Sequence, residues 1–257
     1  MIKNIGRIVR SLRPPAKHSH KGQNGKLLVI GGSKQYHGAP VFSLLAARRF
    51  VDLLYFYPAE RDPYLLRAVK QIPEAIVVYK LDKTHDVDCV LFGIGLGKAK
   101  LDVRKLGGAK RLVIDGDGLK LIMGRMELAK GAILTPHELE FRRVFGLNGT
   151  KDNVIAMAKR WKCIILKKDP HGDIVSDGKQ TKVIAGGNPG MTKGGTGDVL
   201  AGLVAALHCK NSAFESAVAG AYINRKAGES LKKKFGLNYC ASDLANELAK
   251  TVKRLSL

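Results

Sequence analysis

The stretch GNPGMTKGGTGDVLAGLVAAL, residues 187–207, has five glycines in its first twelve positions and turns to an apolar helical pattern beside Asp198. Glycine inside a regular element costs roughly 0.5–1 kcal/mol relative to alanine, so the cluster needs a backbone reason. Val199, Leu200, Leu203, Val204 and Leu207 recur at helical spacing. A helix is therefore expected to begin at Asp198, with the amides of Gly194, Gly195, Thr196 and Gly197 in front of it. Amides at a helix start have no partner in the ladder, and with the helix dipole they attract an anion. Asp198, beside such a hole, could take a proton from a hydroxyl while the amides hold charge on the group being transferred. The plain alternative is a tight turn with Asp198 as N-cap. The GxxxxGK[ST] spacing of a P-loop is absent.

The elements that would position this segment read as an alternation. KLLVIGGS (26–33) is a buried strand ending in glycines, and GAPVFSLLAARRF (38–50) is a helix. Strand VDLLYFY, helix RDPYLLRAVKQ and strand EAIVVY follow. Strands DCVLFGIGLG, RLVIDGD and GAILTP, helices ELEFRRVFG and KDNVIAMAKRW, and strand CIILKK come next. DIVSDGKQTKVIA reads as a hairpin turning at Asp177-Gly178, and helices near 199–209, 212–232 and 241–255 close the chain. Short apolar strands alternating with helices imply an α/β fold, with a mostly parallel sheet covered on both faces. Ligands of such sheets bind beyond the carboxyl ends of the strands. The unusual residues gather at those ends: GGS, GIGLG, DGDG, TPHE and KKDPHG.

The composition, 45% hydrophobic and 26% charged, is that of a globular chain. No apolar run is long enough to cross a membrane, and the basic start lacks a secretory core, so a cytoplasmic protein is expected. Residues 1–21 are expected to be an irregular or helical arm broken at Pro14 and Pro15, and the whole of 1–257 one domain. The four cysteines are far apart, with neither a CxxC pair nor zinc spacing. A net charge of +22 raises nucleic acid as a partner. The basic residues are spread along the chain without interleaved aromatics, so a basic surface serving small phosphorylated ligands fits equally well.

GGTGDVLAG resembles the anion-hole signature of the ribokinase-like superfamily. GGSKQYHGAP, GIGLG, DGDGL, LTPHELEF and GNPGMTKGGTGD, in this order, resemble the ADP/ATP-dependent NAD(P)H-hydrate dehydratases within it. The resemblance runs from about Lys21 to Leu231 and implies a three-layer α/β/α sandwich. It implies that hydrated NADH or NADPH (S form) is phosphorylated on its ring hydroxyl by ADP or ATP with Mg2+, and that phosphate then leaves. It also implies a homo-oligomer, taken as a tetramer. That family often carries an N-terminal epimerase domain, for which HKGQNGKLLVIGGS starts too early here.

By the same resemblance Asp198 is the base and a substrate ligand, and Gly194 to Gly197 form the anion hole. Ala39, Gly95, Gly97 and His137 contact the hydrated dinucleotide. Lys167, Asn188, Gly190, Met191, Thr192, Lys193 and Gly197 bind the nucleotide. From the residues alone, Ala39 serves equally as a helix–sheet packing position, His137 as a structural histidine and Lys167 as a solvated strand-end lysine. Asp115, Asp117 and Glu140 are weak metal candidates, and turn or first-turn carboxylates otherwise. The chain departs from the family pattern at Ile94, where proline is usual, and at Leu139 and Lys168, where glycine is usual; KKDPHGD is about two residues longer than the usual loop. A small-molecule kinase of the thiamine-precursor type is the alternative within the fold, and a nucleic-acid-binding protein is the alternative outside it.

Overall fold

The computed structural model describes residues 2–256. The apolar strands pair into one sheet, formed by β1 (Lys26–Gly31), β2 (Leu53–Pro58), β3 (Ala75–Val77), β4 (Cys89–Ile94), β5 (Leu112–Ile114), β6 (Ile133–Leu134), β7 (Ile164–Lys167), β8 (Asp173–Ser176) and β9 (Thr181–Ile184). Their spatial order is β3-β2-β1-β4-β5-β6-β7-β8-β9. β3 through β7 run parallel, and the expected hairpin β8–β9 adds an antiparallel edge.

Alternation along the strands feeds two cores. Leu27, Val29 and Leu91 enter one apolar cluster, while Leu28, Ile30, Val90 and Phe92 enter the other. The first is roofed by α2 (Gly38–Ala47), α3 (Pro63–Lys70), α7 (Thr196–His208) and α8 (Ala213–Phe235). The second is roofed by α4 (Asp117–Leu121), α5 (Glu138–Phe145) and α6 (Lys151–Trp161). Burial on both faces explains why β1 and β4 read as unbroken apolar runs. A third cluster joins α7 and α8 to α9 (Ala241–Ser256).

The strand order reverses between β1 and β4, a switch point that opens a crevice beyond their carboxyl ends. GGS and GIGLG lie there, as expected.

Of the two forms expected for the N-terminal arm, its start is helical: α1 (Ile2–Arg10), whose Ile5 and Val9 are buried against the bundle. Two local expectations are corrected. α7 starts at Thr196, with Gly195 as its N-cap, so Asp198 stands inside the first turn and caps nothing. DGDG opens a short helix, α4, which the sequence pattern did not signal because it is only five residues long.

Candidate active site at the carboxyl ends of the strands

The glycine run is a connector whose polar side chains bond to neighbouring backbone. Asn188 Oδ1 accepts from Gly190 N at 3.0 Å and from the Tyr239 hydroxyl at 2.8 Å, while its Nδ2 donates to Gly228 O at 2.9 Å. Lys193 Nζ donates to Leu237 O and Tyr239 O, both at 2.7 Å. Thr192 Oγ1 donates to Pro189 O at 2.8 Å, and Thr196 Oγ1 to Met191 O at 2.6 Å. The side chains of Asn188, Thr192 and Lys193 thus shape the loop, and the amides of Gly190 and Met191 are spent on Asn188 within it.

Gly195 is required by its geometry. Its φ is +92°, and a β-carbon there would stand 2.5 Å from the Phe42 ring. Among the described residues, no acceptor meets the amides of Gly194, Gly195, Gly197 or Asp198. Thr196 is a correction: its amide donates to Lys193 O at 3.3 Å, so it leaves the set of free amides and Asp198 N joins it. The Ser43 hydroxyl donates to Asp198 O at 2.8 Å, tying this first turn to α2.

The Asp198 side chain is half-buried and shares its surroundings with Asp115, Lys168 and Glu140. Burial pushes its carboxyl up to about 7; the charge of Asp115 adds to the rise, Lys168 opposes it, and Glu140 adds a little more. A carboxyl titrating near neutrality is suited to take and return a proton.

Lys167 and Lys168 leave β7 in opposite directions. Lys167 is buried and pairs with Glu138 at 2.8 Å and with Asp169. Burial works against its charged form, but the two carboxylates outweigh this and hold its pKa above the ordinary lysine value. It is therefore not a solvated strand-end lysine, and its ammonium already has two anionic partners. Lys168 Nζ instead donates to Asp115 Oδ1 at 2.9 Å and lies 3.9 Å from Glu140 Oε2.

That ammonium also decides the metal question. The weak metal candidates Asp115 and Glu140 are bridged by Lys168, and Asp117 accepts from Gly97 N at 2.9 Å and from Lys120 Nζ. Among the described residues no group of three His, Cys, Asp or Glu side chains could hold an ion. The chain's own carboxylates do not fit a direct magnesium cage.

On the crevice side, Gly95 has φ +59°, and a β-carbon there would stand 2.8 Å from Ala39 Cβ. Ala39 and Gly95 thus face each other across the β1–β4 switch point. The Ser33 hydroxyl donates to Gly95 O at 3.0 Å and fixes this turn. GIGLG opens no α-helix; the chain turns, and only a short 3-10 helix at Val103–Leu106 follows, in keeping with a strand-end turn. His137 is the N-cap of α5: its Nδ1 accepts from Glu140 N at 3.3 Å and its own amide donates to Glu140 Oε2 at 2.9 Å. Its ring is half exposed at the rim of the site.

Sequence reasoning missed two residues here. Lys168 registered only as a departure from a family pattern. Arg225, in the middle of α8, grips Asp173 at 2.8 and 2.7 Å and donates to the carbonyls of Asp169 and Gly186. It locks the loop after β7 to the start of the glycine run. The run of glycines before residue 195 signalled that run; nothing local signalled its distant clamp.

This sandwich with an amide pocket at the start of α7 is ribokinase-like in class. It is similar to a ribokinase-like superfamily protein from Enterococcus faecalis, with a TM-score of 0.85 at 24% identity over 98% of this chain and 95% of that one. A family model described as NAD(P)H-hydrate dehydratase matches residues 27–251, and the chain belongs to that family. It is 36% identical to the ADP-dependent (S)-NAD(P)H-hydrate dehydratase of Cenarchaeum symbiosum, over 95% of this chain and 94% of that protein. It is 37% identical to the bifunctional NAD(P)H-hydrate repair enzyme Nnr of Methanocaldococcus jannaschii, over 95% of this chain but 51% of that protein. The chain thus spans about half the length of the bifunctional relative.

Proposed function

We propose that this chain catalyses the nucleotide-dependent dehydration of hydrated NADH or NADPH, restoring the reduced dinucleotide. The observation that carries the reading is Asp198, half-buried, raised to about 7 and standing in the turn whose free amides face out.

The hydrated ring lies in the crevice beside Ala39, Gly95, Gly97 and His137, and its hydroxyl meets Asp198. The nucleotide lies along the backbone of residues 188–193, with its terminal phosphoryl group at the amides of Gly194, Gly195, Gly197 and Asp198. Lys167 acts on this end by holding Glu138 and Asp169 in place rather than by a free ammonium. Asp198 takes the hydroxyl proton as the ring oxygen bonds to phosphorus and the phosphorus–oxygen bond to the leaving nucleotide breaks. The amides stabilise the charge that spreads over the phosphoryl oxygens. Phosphate then departs with the carbon–oxygen electron pair, and loss of a proton from the neighbouring ring carbon restores the double bond. Mg2+, if it enters with the nucleotide, would neutralise part of the phosphate charge. ADP and ATP both fit a cradle made of backbone. A single domain, a cytoplasmic setting and a homo-tetramer belong to the same proposal; the assembly is measured by light scattering.

The test supplies hydrated NADH with ADP or ATP and Mg2+ and follows the return of the near-ultraviolet absorbance of the reduced ring. Recovery with at least one donor is expected. Release of a stable phosphorylated product without recovery would move the chain to the small-molecule kinases.

A further inference from the structure

We propose that Lys168 is a catalytic residue of this chain, whose ammonium contacts the phosphoryl group as it is transferred. The proposal rests on the dehydratase reading for its reaction, but its evidence is the geometry of the lysine itself.

Lys168 Nζ stands between carboxylates from two other elements, 2.9 Å from Asp115 Oδ1 beyond β5 and 3.9 Å from Glu140 Oε2 on α5. It also reaches the first turn of α7, where a β-carbon built on Gly197 would be 3.5 Å from the same nitrogen. Because Gly197 has no side chain, that space is open, and an anion at the Gly197 amide lies within reach of the ammonium. The charge of Asp198 acts on Lys168 from the same turn.

An ion pair serving only the fold has no reason to border an anion pocket. Asp115 is 4% exposed in its side chain, whereas Lys168 is 21% exposed, so the pair presents its cationic member to the opening. The electrostatics need this. Asp115, Glu140 and Asp198 would otherwise meet an incoming polyphosphate with three carboxylates, and Lys168 is the ammonium placed among them. Its position is held by two carboxylates, as a lysine bearing on phosphate must be to act as a fixed point charge. In the transfer step Lys168 keeps its proton and forms no bond: Asp198 accepts the hydroxyl proton, and the electron pair of the breaking phosphorus–oxygen bond stays with the nucleotide.

The experiment measures the dissociation constants of ADP and AMP in EDTA by calorimetry, in the wild type, Lys168→Met and Lys168→Arg. AMP lacks the terminal phosphate that the ammonium would touch. Lys168→Met is expected to lower the preference for ADP over AMP about tenfold and leave AMP affinity unchanged, and Lys168→Arg to keep most of the preference. With hydrated NADH and ADP, Lys168→Met is expected to lose about a hundredfold in kcat with little change in KM for the hydrate. Where Lys168→Met does not fold, the Lys168→Met/Asp115→Asn double variant carries the same ADP-to-AMP comparison without the stranded carboxylate. An unchanged preference in a folded variant overturns the role of Lys168. Failure of the wild type to restore NADH overturns the dehydratase reading instead, and the two results are read separately.

Discussion

The two segments that meet at Asp198 are built on opposite principles. Residues 187–198 offer backbone: their side chains bond back to their own loop and to α8 and the turn before α9, and among the described residues no acceptor meets the amides of Gly194, Gly195, Gly197 and Asp198. Residues 167–173 offer charge: Lys167, Lys168, Asp169 and Asp173 are all in ion pairs, with Glu138, Asp115 and Arg225 among the partners. The backbone segment can hold any terminal phosphate, because amide geometry is blind to the rest of the ligand. The charged segment sets the local field around Asp198.

The sharpest way to separate the two is at Asp198. Asp198→Asn is expected to lower turnover by about 10³- to 10⁴-fold, as loss of a general base does, while ADP affinity and the melting temperature stay near wild type. Full activity in that variant would remove its assigned role.

Next in size is the clamp joining the segments. Arg225→Met leaves buried Asp173 without its bidentate partner, a break worth about 3–5 kcal/mol, and denaturant unfolding should record it. A loss below about 1 kcal/mol would mean that the two segments hold their places independently.

Gly195→Ala tests the backbone segment by itself. A residue with a β-carbon at φ +92° and 2.5 Å from the Phe42 ring is expected to cost about 1–3 kcal/mol, with nucleotide affinity falling together with stability.

The pH profile reads the charged segment. Asp198 faces Asp115 at the end of β5, Glu140 on α5 and Lys168 after β7, and its carboxyl is raised to about 7. It must be ionised to accept a proton, so kcat/KM is expected to rise tenfold per unit below neutrality and level off above it. Lys168→Met, which removes the one charge favouring the ionised form, should move that bend to higher pH. A bend at the ordinary carboxylate range would contradict the burial argument. The smallest effect is Tyr239→Phe, which removes the hydroxyl that Asn188 accepts and should cost about 1 kcal/mol with activity retained.

The sheet was legible because its signal is local. Short apolar runs in β1, β2 and β4 and the turn at Asp177-Gly178 need no knowledge of distant contacts. Asp198 and its glycines were legible for the same reason, since carboxylate and glycines sit in one continuous stretch. What was lost is non-local. Lys168 draws its meaning from Asp115, Glu140 and the start of α7, three elements that only the fold brings together. Arg225 looks like one more basic residue in a helical run until Asp173 is seen against it. The missed start of α7 has a local cause. Thr196 and Gly197 are poor helix formers, and the apolar pattern shows only from Val199 onward, so the first turn was read as loop.

A crystal structure of the chain with ADP tests the central claim most directly. The account predicts the terminal phosphate within hydrogen-bonding distance of the Gly195, Gly197 and Asp198 amides, with the Asp198 carboxyl facing the crevice lined by Ala39 and Gly95. A terminal phosphate bound elsewhere, or an Asp198 carboxyl turned away from that crevice, would contradict it.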